Sequence, residues 1–215
     1  MAFSLPTGTT YAVATTYATA LNVTAATNAT ECVLTVTNTY AAGDFVEFTS
    51  GWANATARVF RVKSPSASQI TLEGFDTSDV TQFAAGTGIG TVRKISTRQS
   101  IAQVLSCDPS GGDAQYVSVR TMDSSFQTSL PDGFSAMSLS MSIADDPTLP
   151  HHAVLKTATN GNKVTALIAT LPNGKGVILF NTYVSLNETP SMASGQVMAV
   201  KCGFSCLSLP VRYAS

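Results

Sequence analysis

MSLSMSI, residues 137–143, alternates without a break: Met137, Leu139, Met141 and Ile143 are apolar, and Ser138, Ser140 and Ser142 stand between them. A period of two marks a β-strand with one buried and one wetted face. The wetted face of an ordinary strand carries Lys, Glu, Thr or Arg. Here it is serine alone. The stretch predicts a β-fold with a surface that is flat, hydrated and uncharged.

The same shortage of charge runs through the whole chain. Its 215 residues suffice for one large domain or two small ones with a proper core. Twelve Lys and Arg against thirteen Asp and Glu leave a net charge of −1, which excludes the basic balance of a surface that grips nucleic acid. Charged residues make up 12%, where ordinary soluble domains have about 25%, and the mean hydropathy is +0.18. Two readings fit: a subunit that hides surface in an assembly, or an all-β domain rich in Thr and Ala. No stretch approaches the roughly 18 apolar residues of a membrane span. The start, MAFSLPTGTTYAVATTY, has neither a basic n-region nor a continuous apolar h-region and does not read as a signal peptide. Cys32, Cys107, Cys202 and Cys206 are then expected as reduced thiols. Cys202 and Cys206, four apart on a strand, lie about 13 Å from each other, too far for a disulfide.

Short alternating runs separated by turn residues predict strands at 31–39, 43–51, 57–64, 68–75 and 90–96, a small β-barrel or sandwich. Further strands are predicted at 115–122, 134–143, 163–171, 174–186 and 195–209. Asn173-Gly174 in LPNG is a strong hairpin signal. One helix is predicted, at about 146–159, capped by Asp145 or Asp146, with Leu149, Ala153 and Lys156/Thr157 in helical phase and Asn160-Gly161 as a left-handed stop.

A search for chemistry returns nothing. His151 and His152 are adjacent, so on a helix they point about 100° apart and cannot chelate one metal; they read as helix surface. No nucleophile elbow accompanies them. Asp76 and Asp79 lack the further carboxylates and the glycine of a calcium loop and read as turn caps. TGIGT at 87–91 lacks the lysine and the following helix of a phosphate loop. The reading is a chain that is no enzyme, with no cofactor and no metal site.

The stretch LPNGKGVILFNTYVSLNETPSMASGQVMAVKCGFS (171–205) resembles the last hairpin of the tail tube proteins (major tail proteins) of long-tailed, non-contractile bacteriophages. Pro172, Asn173, Gly174, Phe180 and Val184 match that family's pattern, and Asn181 stands where the family usually has glycine. VSVRTMDSS (117–125) and DGFSAMSLSMSIADDPTLPHHAVLKTATNG (132–161) are similar to its preceding strand and its strand-plus-helix unit. The resemblance covers roughly 95–215, plus the strand TTYAVATTY at 9–17.

The resemblance implies a mainly β fold: a tail-tube β-sandwich or barrel of residues 1–21 and 95–215 with one flanking helix, and a small inserted all-β module at 22–94. It implies a virion structural subunit, made in the bacterial host cytoplasm, that assembles into stacked hexameric rings as a conduit for DNA ejection. The implied partners are the chain itself, a tape-measure protein, and tail-tip and tail-terminator proteins, with genomic DNA passing through unread. A conduit must not grip its cargo, since each cation in the channel is repeated around the ring and attracts phosphate. Ser138, Ser140 and Ser142 are therefore expected to face the lumen. The polar segment 120–134 is expected as an irregular inter-ring loop, with Asp123, Phe126, Leu130, Pro131 and Phe134 as its contact residues. The alternative is a phage capsid decoration or receptor-binding protein built from β-modules.

Overall fold

The computed structural model describes residues 5–214. In chain order its strands are β1 (Thr10–Tyr17), β2 (Leu21–Val23), β3 (Ala25–Ala26), β4 (Val33–Thr35), β5 (Phe45–Ser50), β6 (Arg58–Arg61), β7 (Gln69–Thr71), β8 (Gly90–Ile101), β9 (Val104–Ser110), β10 (Ala114–Val119), β11 (Thr128–Phe134) and β12 (Ser138–Ala144). The helix α1 (Pro150–Asn160) follows, then β13 (Val164–Thr170), β14 (Val177–Ser191), β15 (Ala199–Cys206) and β16 (Val211–Tyr213). The chain is mainly β, as its alternation predicts.

One antiparallel sheet of eleven strands organises the molecule, in the order β6-β5-β8-β1-β13-β14-β15-β12-β9, with β16 added to β14 and β2 to β8. The sheet curls, so that β1 and β9 face each other and Tyr11 meets Cys107. Inside the curl lies an apolar cluster that includes Val13, Met141, Leu167, Phe180 and Phe204. A second cluster fills the region of β2 to β8, around Leu34, Phe48, Phe60, Ile70 and Val92, and β3-β4-β7 form a small sheet across it. β8 serves both: its first residues pair with β5 and β2, and Ile95–Ile101 pair with β1. The boundary expected at 94/95 therefore falls inside a continuous strand.

The seam between the two regions is tied by specific hydrogen bonds. The Arg61 N–H donates to Tyr213 Oη at 2.9 Å across it, while within the curled sheet the Ala166 N–H donates to Tyr17 Oη at 2.8 Å. Asn181 sends its Nδ2 to the Ala57 carbonyl at 3.0 Å, which also accepts from Ser208 Oγ at 2.9 Å. Ala57 has φ +55°, a strained conformation for a residue with a Cβ, and these two donors hold it there. Trp52 is buried, donates through Nε1 to the Ala84 carbonyl at 2.8 Å, and stacks edge-on against Phe83.

The Asn173-Gly174 hairpin forms between β13 and β14, with φ +56° and +65° at its two central residues, the geometry that makes this dipeptide favoured. The helix differs from expectation at both ends. Asp146 does not cap it, because its Oδ1 accepts from the Thr148 N–H and Oγ1 at 3.0 and 2.6 Å. Pro147 and Pro150 push the start to Pro150, whose missing N–H costs nothing at the first helical position. At the other end Gly161 stays right-handed and Asn162 takes the positive φ. The buried stripe is His151, Leu155 and Ala158, out of phase with Leu149 and Ala153. His151 is therefore core, not helix surface, and burial pushes its pKa down. Asp76 and Asp79 form side-chain turns with Ser78 and Thr81. The four cysteines are free thiols, and burial raises Cys202 to about 12.

Candidate functional site

β12 lies between β9 and β15, and β15 lies beside β14. Residues paired across an antiparallel sheet point to the same side, so the registers define the surface around the serines. One row reads Ser110, Ser138, Ser205, Tyr183; the next Asp108, Ser140, Gly203, Ser185; the third Ser106, Ser142, Lys201, Asn187. Serine dominates, and Asp108 and Lys201 are the only charges on these rows, one of each sign. The intervening residues Leu139, Met141, Ile143, Val184, Leu186, Cys202 and Phe204 are buried in the curl. Ser138 and Ser140 are exposed and Ser142 is half-buried. The alternation of MSLSMSI is thus one strip of a polar face four strands wide.

The flanking strips were also present in the sequence. NTYVSLN alternates Tyr183, Ser185 and Asn187 with Val184 and Leu186, and VKCGFS alternates Lys201, Gly203 and Ser205 with Cys202 and Phe204. The width of the face follows only from the pairing of these strands with β12 and with each other. β9 carries no strand signal in the sequence, because Pro109 interrupts LSCDPS. An edge strand tolerates Pro109, and β12 is the only strand paired with β9 among the described residues. On the far side, β13 pairs with β14 only as far as Tyr183. Beyond it, Thr159 of α1 accepts the Leu186 N–H at 2.9 Å, so the helix blunts that margin of the sheet.

A second feature leaves the body between Ser110 and Ser138. The segment 120–134, expected as irregular, is half strand: β11 pairs with β10 as a separate two-stranded hairpin. Pro131-Asp132-Gly133 reads as a breaker, yet here it forms a bulge, with Gln115 opposite Gly133 and Tyr116 opposite Pro131, a device suited to an exposed edge. Leu130 pairs with Val117 and Phe134 with Ala114, while Asp123 and Phe126 belong to the tip. Tyr116, Val117, Met122, Phe126, Leu130 and Phe134 are all exposed, Phe126 at 76% and Met122 fully. A free two-stranded hairpin is marginally stable in water, and this one buries little of its apolar surface on its own body.

The family model described as "Phage tail tube protein, TTP" matches residues 50–215. The chain belongs to the phage tail tube protein family. The match takes in the hairpin and all four strands of the serine-rich face. This tail tube protein is a structural component of the tail of a phage-like virion. Its structure is similar to a chain in the virion of a native gene transfer agent (GTA) particle, with a TM-score of 0.44 and 13% identity over 54% of this chain and 89% of that one. A chain in the tail of an empty GTA particle, computed with helical refinement and C6 symmetry, gives the same TM-score and identity over 54% and 87%. No curated protein matches the tail tube protein.

Proposed function

We propose that this subunit assembles into hexameric rings that stack into a hollow tube, with the serine-rich face of β9, β12, β15 and β14 lining the channel through which DNA is ejected. The observation that carries the reading is that face itself, four strands wide with one charge of each sign. A small hydroxyl keeps water at the wall without the phosphate attraction that a ring of cations would create. Ser138, Ser140 and Ser142 are its central strip. The open edge of β9 offers unpaired N–H and C=O groups, the usual route by which a sheet extends into a neighbour. The hairpin, with Asp123, Phe126, Leu130, Pro131 and Phe134, serves the contacts between rings. The 22–94 module, with its own apolar cluster, is an insertion on the tube body of 1–21 and 95–215. The chain has no catalytic role; its partners are its own copies, a tape-measure protein in the lumen, and tail-tip and tail-terminator proteins. Negative-stain microscopy of the purified protein tests this. Rings or tubes with an axial hole are expected, and a persistent monomer or trimer would overturn the reading in favour of a decoration or receptor-binding role.

A further inference from the structure

Where the curled sheet opens beside the root of the hairpin, a cavity of about 590 Å³ enters the core. Tyr11, Pro109, Met137, Leu171, Ile178 and Phe180 give it apolar walls. Among the described residues its charged lining is Lys175 and Arg212, and neither makes an ion pair with them. The hairpin tip has the opposite character. Its apolar side chains Met122 and Phe126 stand out in solvent. In that presentation the Ser124 N–H donates to the Thr121 carbonyl at 3.2 Å and the Phe126 N–H to Ser124 Oγ at 3.1 Å. Asp123 lies between the two apolar residues; the tip's one cation, Arg120, donates through Nε to the Ser124 carbonyl at 3.3 Å, and Asp113 and Asp132 lie at the root of the hairpin.

We propose that the mouth of the barrel is the receptor for the hairpin tip of a second copy of this chain, with Phe126 and Met122 in the cavity and Asp123 against Lys175 and Arg212. The inference rests on the reading that this chain self-assembles. Among the described residues it matches an exposed apolar knob to an open apolar hole, and the Asp123 carboxylate to the two cations at the entrance, where electrostatic complementarity sets register and rejects wrong partners. Tip and mouth are different surfaces, so the contact is heterologous and propagates from copy to copy, closing into rings or extending into stacks.

Cys107 lines the cavity, which supplies a native reporter. Phe126→Cys chains, assembled and treated with a thiol oxidant at alkaline pH, are expected to lose the monomer band on a non-reducing gel and give a ladder of linked chains. The ladder should vanish in Phe126→Cys with Cys107→Ser. Assembled tubes whose chains stay monomeric, or a ladder that survives Cys107→Ser, would show that the tip lies elsewhere and that the mouth has another occupant. Should Phe126→Cys fail to assemble, the charge pair decides. Lys175→Glu and Asp123→Lys are each expected to lower tube yield, and their combination to restore it; a combination no better than either single change overturns the proposal. Normal tubes without cross-links leave the conduit reading standing, whereas a wild-type chain that never assembles removes both.

Discussion

At the scale of the residue, the serines of β12 are not equivalent. Ser140 lies opposite Asp108, and Ser138 lies between Ser110 and Ser205. An arginine at 140 has a carboxylate directly across the strand, where opposite charges attract; an arginine at 138 has hydroxyls on both sides. If this face lines the channel, both substitutions add a cation per subunit, but only Ser138→Arg adds one that nothing offsets. Tubes are expected to form in both variants, and DNA ejection to slow more in Ser138→Arg than in Ser140→Arg. Ser138→Asn should be silent. Ejection measured by DNA release from variant phage at low and moderate salt checks the order, because salt weakens a phosphate attraction. Ejection at the normal rate in Ser138→Arg would remove this face from the channel, and failure of the tubes to form would place it in an interface.

At the scale of the element, β16 shows how a short strand fastens the two regions. Its residues pair with the start of β14, and Tyr213 is buried and accepts the Arg61 N–H. The approach depends on Gly176, which has φ +105° and lies so close to the Tyr213 carbonyl that a Cβ there would collide with backbone. Gly176→Ala combines a forbidden φ with that collision, an expected cost of roughly 2–4 kcal/mol. In a chain of this size the melting temperature should fall by roughly 5–15 °C. Gly203→Ala, where only ordinary contacts await a Cβ, is the control and should leave the melt unchanged. Equal melts for the two variants would show that β16 does not fasten the seam. β16 was invisible in the sequence, because VRY is too short to alternate and its neighbour Pro210 signals a break. The same holds for β9 and β11, where Pro109 and Pro131 sit on edges that need no N–H. Long alternating runs such as β12, β13 and β14 were legible because each buries one full face. The serine strip was legible for that reason too, but the width of the face depended on pairings between residues far apart in the chain, such as Asp108 with Ser140 and Ser140 with Gly203, which no local pattern carries.

At the scale of the whole molecule, the hairpin stands apart from a well-packed body. The body has continuous clusters with fully buried Phe48, Phe60, Phe204 and Met141, whereas β10 and β11 pair only with each other. Ordering the roughly eight residues of the tip costs about 8–16 kcal/mol of backbone entropy. Full burial of three large apolar side chains returns roughly 5–9 kcal/mol, and in the isolated chain that burial is not available. The tip is therefore expected to fluctuate in the monomer and to become ordered when a neighbouring copy covers Met122, Phe126 and Leu130. If the chain assembles as proposed, such a subunit is expected to stay soluble until an initiator presents a finished surface, the ordering cost being met by the contact that assembly creates. Amide hydrogen exchange on monomer and tube measures this directly. Fast exchange across 123–133 in the monomer and strong protection in the tube is the expected pattern, with the amides of β12 and β13 protected in both. Phe126→Ser removes the largest exposed side chain of the tip without touching the body, so it should leave the monomer melt unchanged while slowing tube growth. Equal exchange in the two states, together with normal growth of Phe126→Ser tubes, would take the hairpin out of the assembly mechanism and leave the joining of subunits to the edge of β9.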